Sequence, residues 1–286
     1  MKLKVGLAQF TPKLGDVAAN LAQHLQRIEE AAEQGVELLV FPELSLTGYR
    51  LRDLAFTVAI KPKPTDLVYG RLLEASRDMD LVVGFVEADV RQKFFITAAY
   101  LSGGETVHLH RKVYLPTYGM FDEGRYFAWG DAVRAFDTRF GRVGLLICED
   151  FWHVSAPYLL WLDGADILIF TSASPGRGLD SAQKIGSAKW VEHINQAYAS
   201  VFTNFVMHTN RTGFEDGVTF WGGATVYNPD GYLIAHGPYY EEALVTAHLD
   251  LNQLRRTRTR LPLLRDERVG LTTREMERIL QNGGGR

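Results

Sequence analysis

Arg142-Val143-Gly144-Leu145-Leu146-Ile147-Cys148-Glu149-Asp150 reads as a short apolar strand that runs into a cysteine and two carboxylates. Its apolar run is unbroken rather than alternating, the pattern of a strand covered on both faces. Downstream, the pattern predicts a helix over 156–163, a strand over 166–171, a helix over 182–198 and a strand over 201–208. Upstream, residues 1–10 read as a first strand, and Val17, Leu21, Leu25, Ile28 and Ala32 recur at helical spacing up to Gly35, which suits a left-handed cap. Val36-Glu37-Leu38-Leu39-Val40-Phe41 is a second strand of the buried type, stopped by Pro42-Glu43. A helix over 66–80, a strand over 81–86 and a hairpin from 94–101 to 107–112 follow. Segments 220–227 and 233–235 flank the turn signal Asn228-Pro229-Asp230-Gly231. Strands alternating with helices define an α/β fold class.

The chain has 286 residues, 46% of them hydrophobic and 23% charged, enough to bury a sizeable core. A net charge of −3 argues against a general nucleic-acid binder, whose phosphate contacts need concentrated Lys and Arg. One cysteine, Cys148, rules out an intramolecular disulfide and makes a cytoplasmic setting the expectation. The N-terminus lacks a secretory apolar run, and nowhere do eighteen apolar residues follow one another, so no membrane span is expected. No linker precedes residue 250, which predicts a single domain over 1–250 and a C-terminal, partly helical extension over 251–286. The arginines of that extension read as a solvated or subunit-packing face.

In an α/β chain, side chains from separate segments converge at the carboxyl ends of strands. Glu43 follows one strand, Lys112 ends a second and Cys148 ends a third. Singly, each has an ordinary reading: a buried small hydrophobe for Cys148, solvated charges for Glu43 and Lys112. Together they supply a thiol to attack, a carboxylate to take its proton and a cation for an oxyanion. The lysine next to the thiol is expected to favour thiolate character. Ser102-Gly103-Gly104 reads as a hairpin turn rather than a phosphate loop, because no helix follows it. His108 and His110 alternate onto one strand face without partners at metal spacing, so they read as ordinary strand residues and no metal is expected. A Cys-His protease reading finds only His153 nearby in sequence.

Three segments, Phe41-Pro42-Glu43-Leu44-Ser45-Leu46-Thr47-Gly48-Tyr49, His110-Arg111-Lys112-Val113-Tyr114-Leu115-Pro116 and Leu145-Leu146-Ile147-Cys148-Glu149-Asp150, resemble the nitrilase or carbon-nitrogen hydrolase superfamily over roughly residues 2–250. The resemblance implies a four-layer αββα sandwich, usually dimeric or larger, and a Glu43-Lys112-Cys148 triad. The stretches 44–54 and 114–123, with Cys148-Glu149-Asp150, look most like the glutaminase domain of glutamine-dependent NAD synthetases. That likeness implies roles for Tyr118 and for Glu123, the latter orienting the lysine and the attacking water. The chain stops where an ATP-dependent synthetase domain would begin, so it is not expected to adenylate a dinucleotide itself. The arginine expected after the Ser-Pro of the next strand is out of register, since Ser174-Pro175 leads to Arg177, which could take its place if the loop is rearranged.

These readings predict an amidohydrolase that releases ammonia from a small amide through a Cys148 thioester, with glutamine or a related ω-amide as first substrate and no cofactor. Tyr118, Phe151 and Trp152 are expected to wall the pocket, with plain core packing the equal alternative for Phe151 and Trp152, while Ser174 and Arg177 stand nearby and Glu149 reads a substrate amine. Alternatives with the same triad are an N-carbamoyl amidohydrolase, a nitrilase, or an ammonia-donating subunit of a separate ATP-dependent synthetase. Gly222-Gly223 reads as a place of close backbone packing.

Overall fold

A computed structural model of the protein describes residues 2–176 and 186–283. Two six-stranded sheets form its centre. The first contains β1 (Lys2–Gln9), β2 (Leu38–Val40), β3 (Asp80–Ala88), β4 (Phe94–Ser102), β5 (Glu105–Arg111) and β14 (Ala243–Asp250), in the order β14-β1-β2-β3-β4-β5. The second contains β6 (Phe136–Thr138), β7 (Gly141–Ile147), β8 (Ile167–Ser172), β9 (Phe205–Asn210), β12 (Thr225–Tyr227) and β13 (Leu233–His236), in the order β13-β12-β9-β8-β7-β6. β1, β2 and β3 run parallel, as do β7, β8 and β9, and the flanking strands are antiparallel. A separate hairpin pairs β10 (Thr212–Glu215) with β11 (Val218–Trp221).

The apolar runs explain the layering. Leu38 and Val40 point inward and pack with Leu145, Ile147 and Ile169 of the opposing sheet, whereas Leu39 and Phe41 point outward. The outward face of the first sheet is covered by α1 (Val17–Glu33) and α2 (Leu67–Ala75) through Ile28, Ala31, Leu72 and Leu73. On the second sheet, Leu146, Leu168 and Phe170 point outward beneath α3 (Ser155–Leu162) and α4 (Gly186–Phe202). The result is the expected αββα sandwich, in which every central strand is covered on both sides. Beyond β14, α5 (Asn252–Arg260), α6 (Leu263–Asp266) and α7 (Val269–Gln281) follow. Arg258 ties α5 to the second sheet through Asp166 at 2.6 Å and Asn204 at 2.7 Å, so it is not simply solvated.

Several boundaries differ from the sequence reading. The helix expected to end at 198 continues to Phe202, because Phe202 still lies on its buried face against Trp161 and Tyr198, and the next strand starts at Phe205. The single strand expected over 220–227 is two, β11 and β12. Gly222 and Gly223 break it with φ of 71° and 60°. A Cβ on Gly222 would lie 2.4 Å from Gln9 Nε2, which accounts for glycine there by close packing. The Gly103-Gly104 pair forms the tight turn of the β4–β5 hairpin.

Candidate active site

Three chain turns bring the reactive side chains together. After β2, Phe41 N–H still donates to Val82 O at 2.8 Å, and the Pro42-Glu43-Leu44 turn then crosses directly over β3. It can do so because the residue beneath is Gly84: a Cβ there would stand 2.6 Å from Pro42 O and 2.7 Å from Leu44 N. Glu43 is thereby buried, with Ala173 N–H donating to its Oε2 at 2.8 Å.

Cys148 opens a short 3-10 turn at the end of β7 with φ of 46°, a left-handed backbone uncommon for a side-chain-bearing residue. Asp150 holds that turn. Its Oδ2 accepts Ile147 N–H at 3.1 Å and lies 2.8 Å from His110 Nε2. Its Oδ1 accepts the N–H groups of Val113 and Tyr114, each at 2.9 Å. One buried carboxylate therefore joins the end of β7 to the end of β5, where Lys112 sits.

Lys112 is fully buried. Its Nζ donates to Glu43 Oε1 at 2.8 Å and to Glu123 Oε1 at 2.8 Å, and lies 2.8 Å from Glu123 Oε2 as well. Glu123 also accepts from Tyr49 Oη at 2.6 Å. Burial alone would lower the ammonium's pKa, but Glu123 and Glu43 outweigh it and push the pKa well above the usual lysine range, so Lys112 is a cation. Burial drives the Glu123 carboxyl up, Glu43 adds to this, and Lys112 opposes it, leaving the group at about 7. The Cys148 thiol moves against the sequence expectation. Burial pushes it up, Glu43 pushes further, and Lys112 offsets this only in part, so the resting group is a thiol.

Cys148 lies in a pocket of about 240 Å³ whose lining includes Tyr118, Phe121, Glu149, Trp152 and Ser174. Ser174 Oγ is 3.9 Å from the sulfur, and Asn210 Oδ1 fixes Ser174 by accepting its N–H at 2.8 Å. Glu149 accepts from Tyr118 Oη at 3.1 and 3.0 Å. Thus Tyr118, Glu149, Trp152 and Ser174 meet at one pocket. Phe151 does not: it is fully buried and stacks on Phe170 in the outer core. Arg177 lies outside the described residues.

Sequence reasoning passed over Tyr49, Asp150 and His110. All three stood inside the quoted motifs, but nothing local shows that Tyr49 turns toward Glu123 or Asp150 toward His110. His110 was read as an ordinary strand residue, because its partner is forty positions away.

A pocket at strand ends, with a thiol beside two carboxylates and a buried ammonium, defines a class of hydrolase, and residues 4–259 match the carbon-nitrogen hydrolase family model. The chain belongs to that family and is an amidohydrolase. It is similar to the glutamine-dependent NAD(+) synthetase of Thermotoga maritima, 31% identical over 259 residues, which are 88% of this chain and 43% of that protein. It is also similar to the N-carbamoylputrescine amidase of Arabidopsis thaliana, 25% identical over 90% of this chain and 89% of that one. The solved glutamine-dependent NAD+ synthetase of Acinetobacter baumannii superposes with a TM-score of 0.78 at 27% identity, covering 89% of this chain and 47% of the other. The chain spans less than half the length of these synthetases.

Proposed function

We propose that the protein hydrolyses the carboxamide of a small ω-amide such as glutamine, releasing ammonia through a Cys148 thioester. The observation that carries this reading is the contact of Lys112 with both Glu43 and Glu123, 2.8 Å each, beside the pocket that holds Cys148. As Sγ bonds to the amide carbon, Glu43 takes the thiol proton, which suits a thiol that is not ionised at rest. Lys112 Nζ and the Glu149 backbone N–H hold the oxyanion. Collapse breaks the C–N bond, and the leaving ammonia takes the proton from Glu43. Glu43 then deprotonates a water that Glu123 helps to orient through Lys112. The water attacks the thioester, and the departing sulfur regains its proton from Glu43.

Glu149 stands at the pocket wall as the group that reads a substrate amine, with Tyr118, Trp152 and Ser174 around it. The likeness to glutamine-dependent synthetases supports glutamine and supports a separate ATP-dependent synthetase as the consumer of ammonia. Residues 1–250 form the hydrolase domain in this reading and 251–286 its extension. A second reading, hydrolysis of an N-carbamoyl amine, is favoured by the end-to-end match with the Arabidopsis amidase.

The test is ammonia release from L-glutamine, other carboxamides, N-carbamoyl amines and nitriles, with Cys148→Ala as control. Cys148-dependent ammonia from glutamine supports the leading reading. Silence on glutamine with turnover of an N-carbamoyl amine replaces it with the second.

A further inference from the structure

Tyr49 has no part in the reaction just described, yet its hydroxyl donates at 2.6 Å to Glu123 Oε1, the oxygen that also accepts from Lys112. Its place is set from below. Glu215 Oε1 accepts the backbone N–H groups of Tyr49 at 2.9 Å and Arg50 at 2.7 Å, while Glu215 Oε2 accepts from Arg211. Both members of this ion pair, in and beside the β10–β11 hairpin, are buried. The Arg211 guanidinium lies 4.2 Å from the centroid of Phe220, whose ring in turn packs edge-on against Tyr49. A buried ion pair seldom adds net stability, because its desolvation offsets its Coulomb attraction. This pair fixes the backbone of Tyr49, whose hydroxyl meets Glu123.

We infer that Tyr49 is a positioning residue for the proposed hydrolysis, held by the Arg211–Glu215 pair so that its hydroxyl keeps Glu123 ionised against Lys112. The inference rests on the reaction proposed above. With Glu123 ionised, Lys112 is shared between two carboxylates. With Glu123 protonated, Lys112 binds Glu43 alone and holds that carboxylate more tightly, making it a poorer acceptor for the thiol proton.

The surroundings leave the hydroxyl a deciding part. On the inner side Glu123 faces Lys112 and Glu43, with Cys148 close to the same cluster. On the other side, a cavity of about 250 Å³, separate from the pocket of Cys148, is lined by Tyr49 and Glu123 together with Arg50, Arg52, Asp122 and Tyr126. Arg50 and Arg52 lie 3.3 and 3.6 Å from Asp216, which draws their charge away from Glu123. The Tyr49 hydroxyl is a hydrogen-bond donor that favours the charged carboxylate, and losing it moves Glu123 further toward the acid form.

The experiment is the pH dependence of kcat/KM for ammonia release in the unmodified protein, Tyr49→Phe and Glu215→Gln. The phenyl ring of Tyr49→Phe keeps its packing on Phe220, so the fold is retained, and a thermal melt checks this. The acid limb in Tyr49→Phe is expected to move toward alkaline pH by about half a unit or more. Glu215→Gln is expected to move it the same way. A limb that stays in place while only the rate or the melting point falls overturns the inference. Cys148→Ala, assayed alongside, tests the reaction itself: if it retains turnover, the reading of the triad fails, whatever the position of the limb in Tyr49→Phe.

Discussion

Asp150 Oδ1 accepts the backbone N–H of Val113 at 2.9 Å, so the residue after Lys112 is tied to the turn that begins at Cys148. The same carboxylate serves Tyr114, Ile147 and His110, and Asp150 is fully buried. Substituting Asp150→Ala leaves the buried N–H of Ile147, the half-buried N–H groups of Val113 and Tyr114 and a buried imidazole without their partner. Each orphan costs on the order of 1 kcal/mol or more, so the unfolding free energy is expected to fall by at least about 3 kcal/mol. Urea denaturation measures this, and a loss below about 1 kcal/mol would contradict the bridging role.

Removing Lys112 leaves Glu43 and Glu123, both buried, facing each other without a cation. Lys112→Met is expected to cost about 3–5 kcal/mol of stability, since an uncompensated charge is then buried. It should also lower kcat by about 100-fold or more through loss of an oxyanion donor. Adding Glu123→Gln to Lys112→Met should restore part of the stability and none of the rate. Equal losses of stability in the single and double variants would show that charge burial is not the cause.

Because burial and Glu43 hold the Cys148 thiol above its ordinary range, the thiolate population grows with pH well past neutrality. Alkylation by iodoacetamide, followed by mass spectrometry at the single cysteine, is expected to keep accelerating beyond pH 9. A rate that levels off below pH 7 would mean a thiolate at rest and would remove the need for Glu43 as proton acceptor.

Glu149 lines the pocket of Cys148 and is itself held by Tyr118, and in the proposed reaction it is the group that meets a substrate amine. Glu149→Gln is expected to raise KM for glutamine about tenfold, near 1.4 kcal/mol, with kcat changed much less. For a carboxamide without an α-amino group, KM should stay close to that of the unmodified protein. A fall in kcat with KM unchanged would move Glu149 from recognition to chemistry.

Much of this molecule was legible as local pattern. Apolar runs such as Leu38–Val40 and Val143–Ile147 announce strands covered on both faces, because each face of a strand repeats every second residue. The three motifs likewise marked Glu43, Lys112 and Cys148 at strand ends. Boundaries were less legible where packing overrode local preference, as when Phe202 extended α4 and the close approach of Gln9 to Gly222 divided one expected strand into two.

The sequence by itself therefore determined which segments become strands and which reactive side chains those strands present. Only the tertiary structure decided what those side chains are chemically. Lys112 meets Glu43 across 69 positions, His110 meets Asp150 across 40, and Tyr49 meets Glu215 across 166. Charge interactions depend on distance through space and on the exclusion of water, and neither can be read from spacing along the chain. That is why a lysine beside a thiol promised a thiolate, while burial and a second neighbour, Glu43, keep it a thiol.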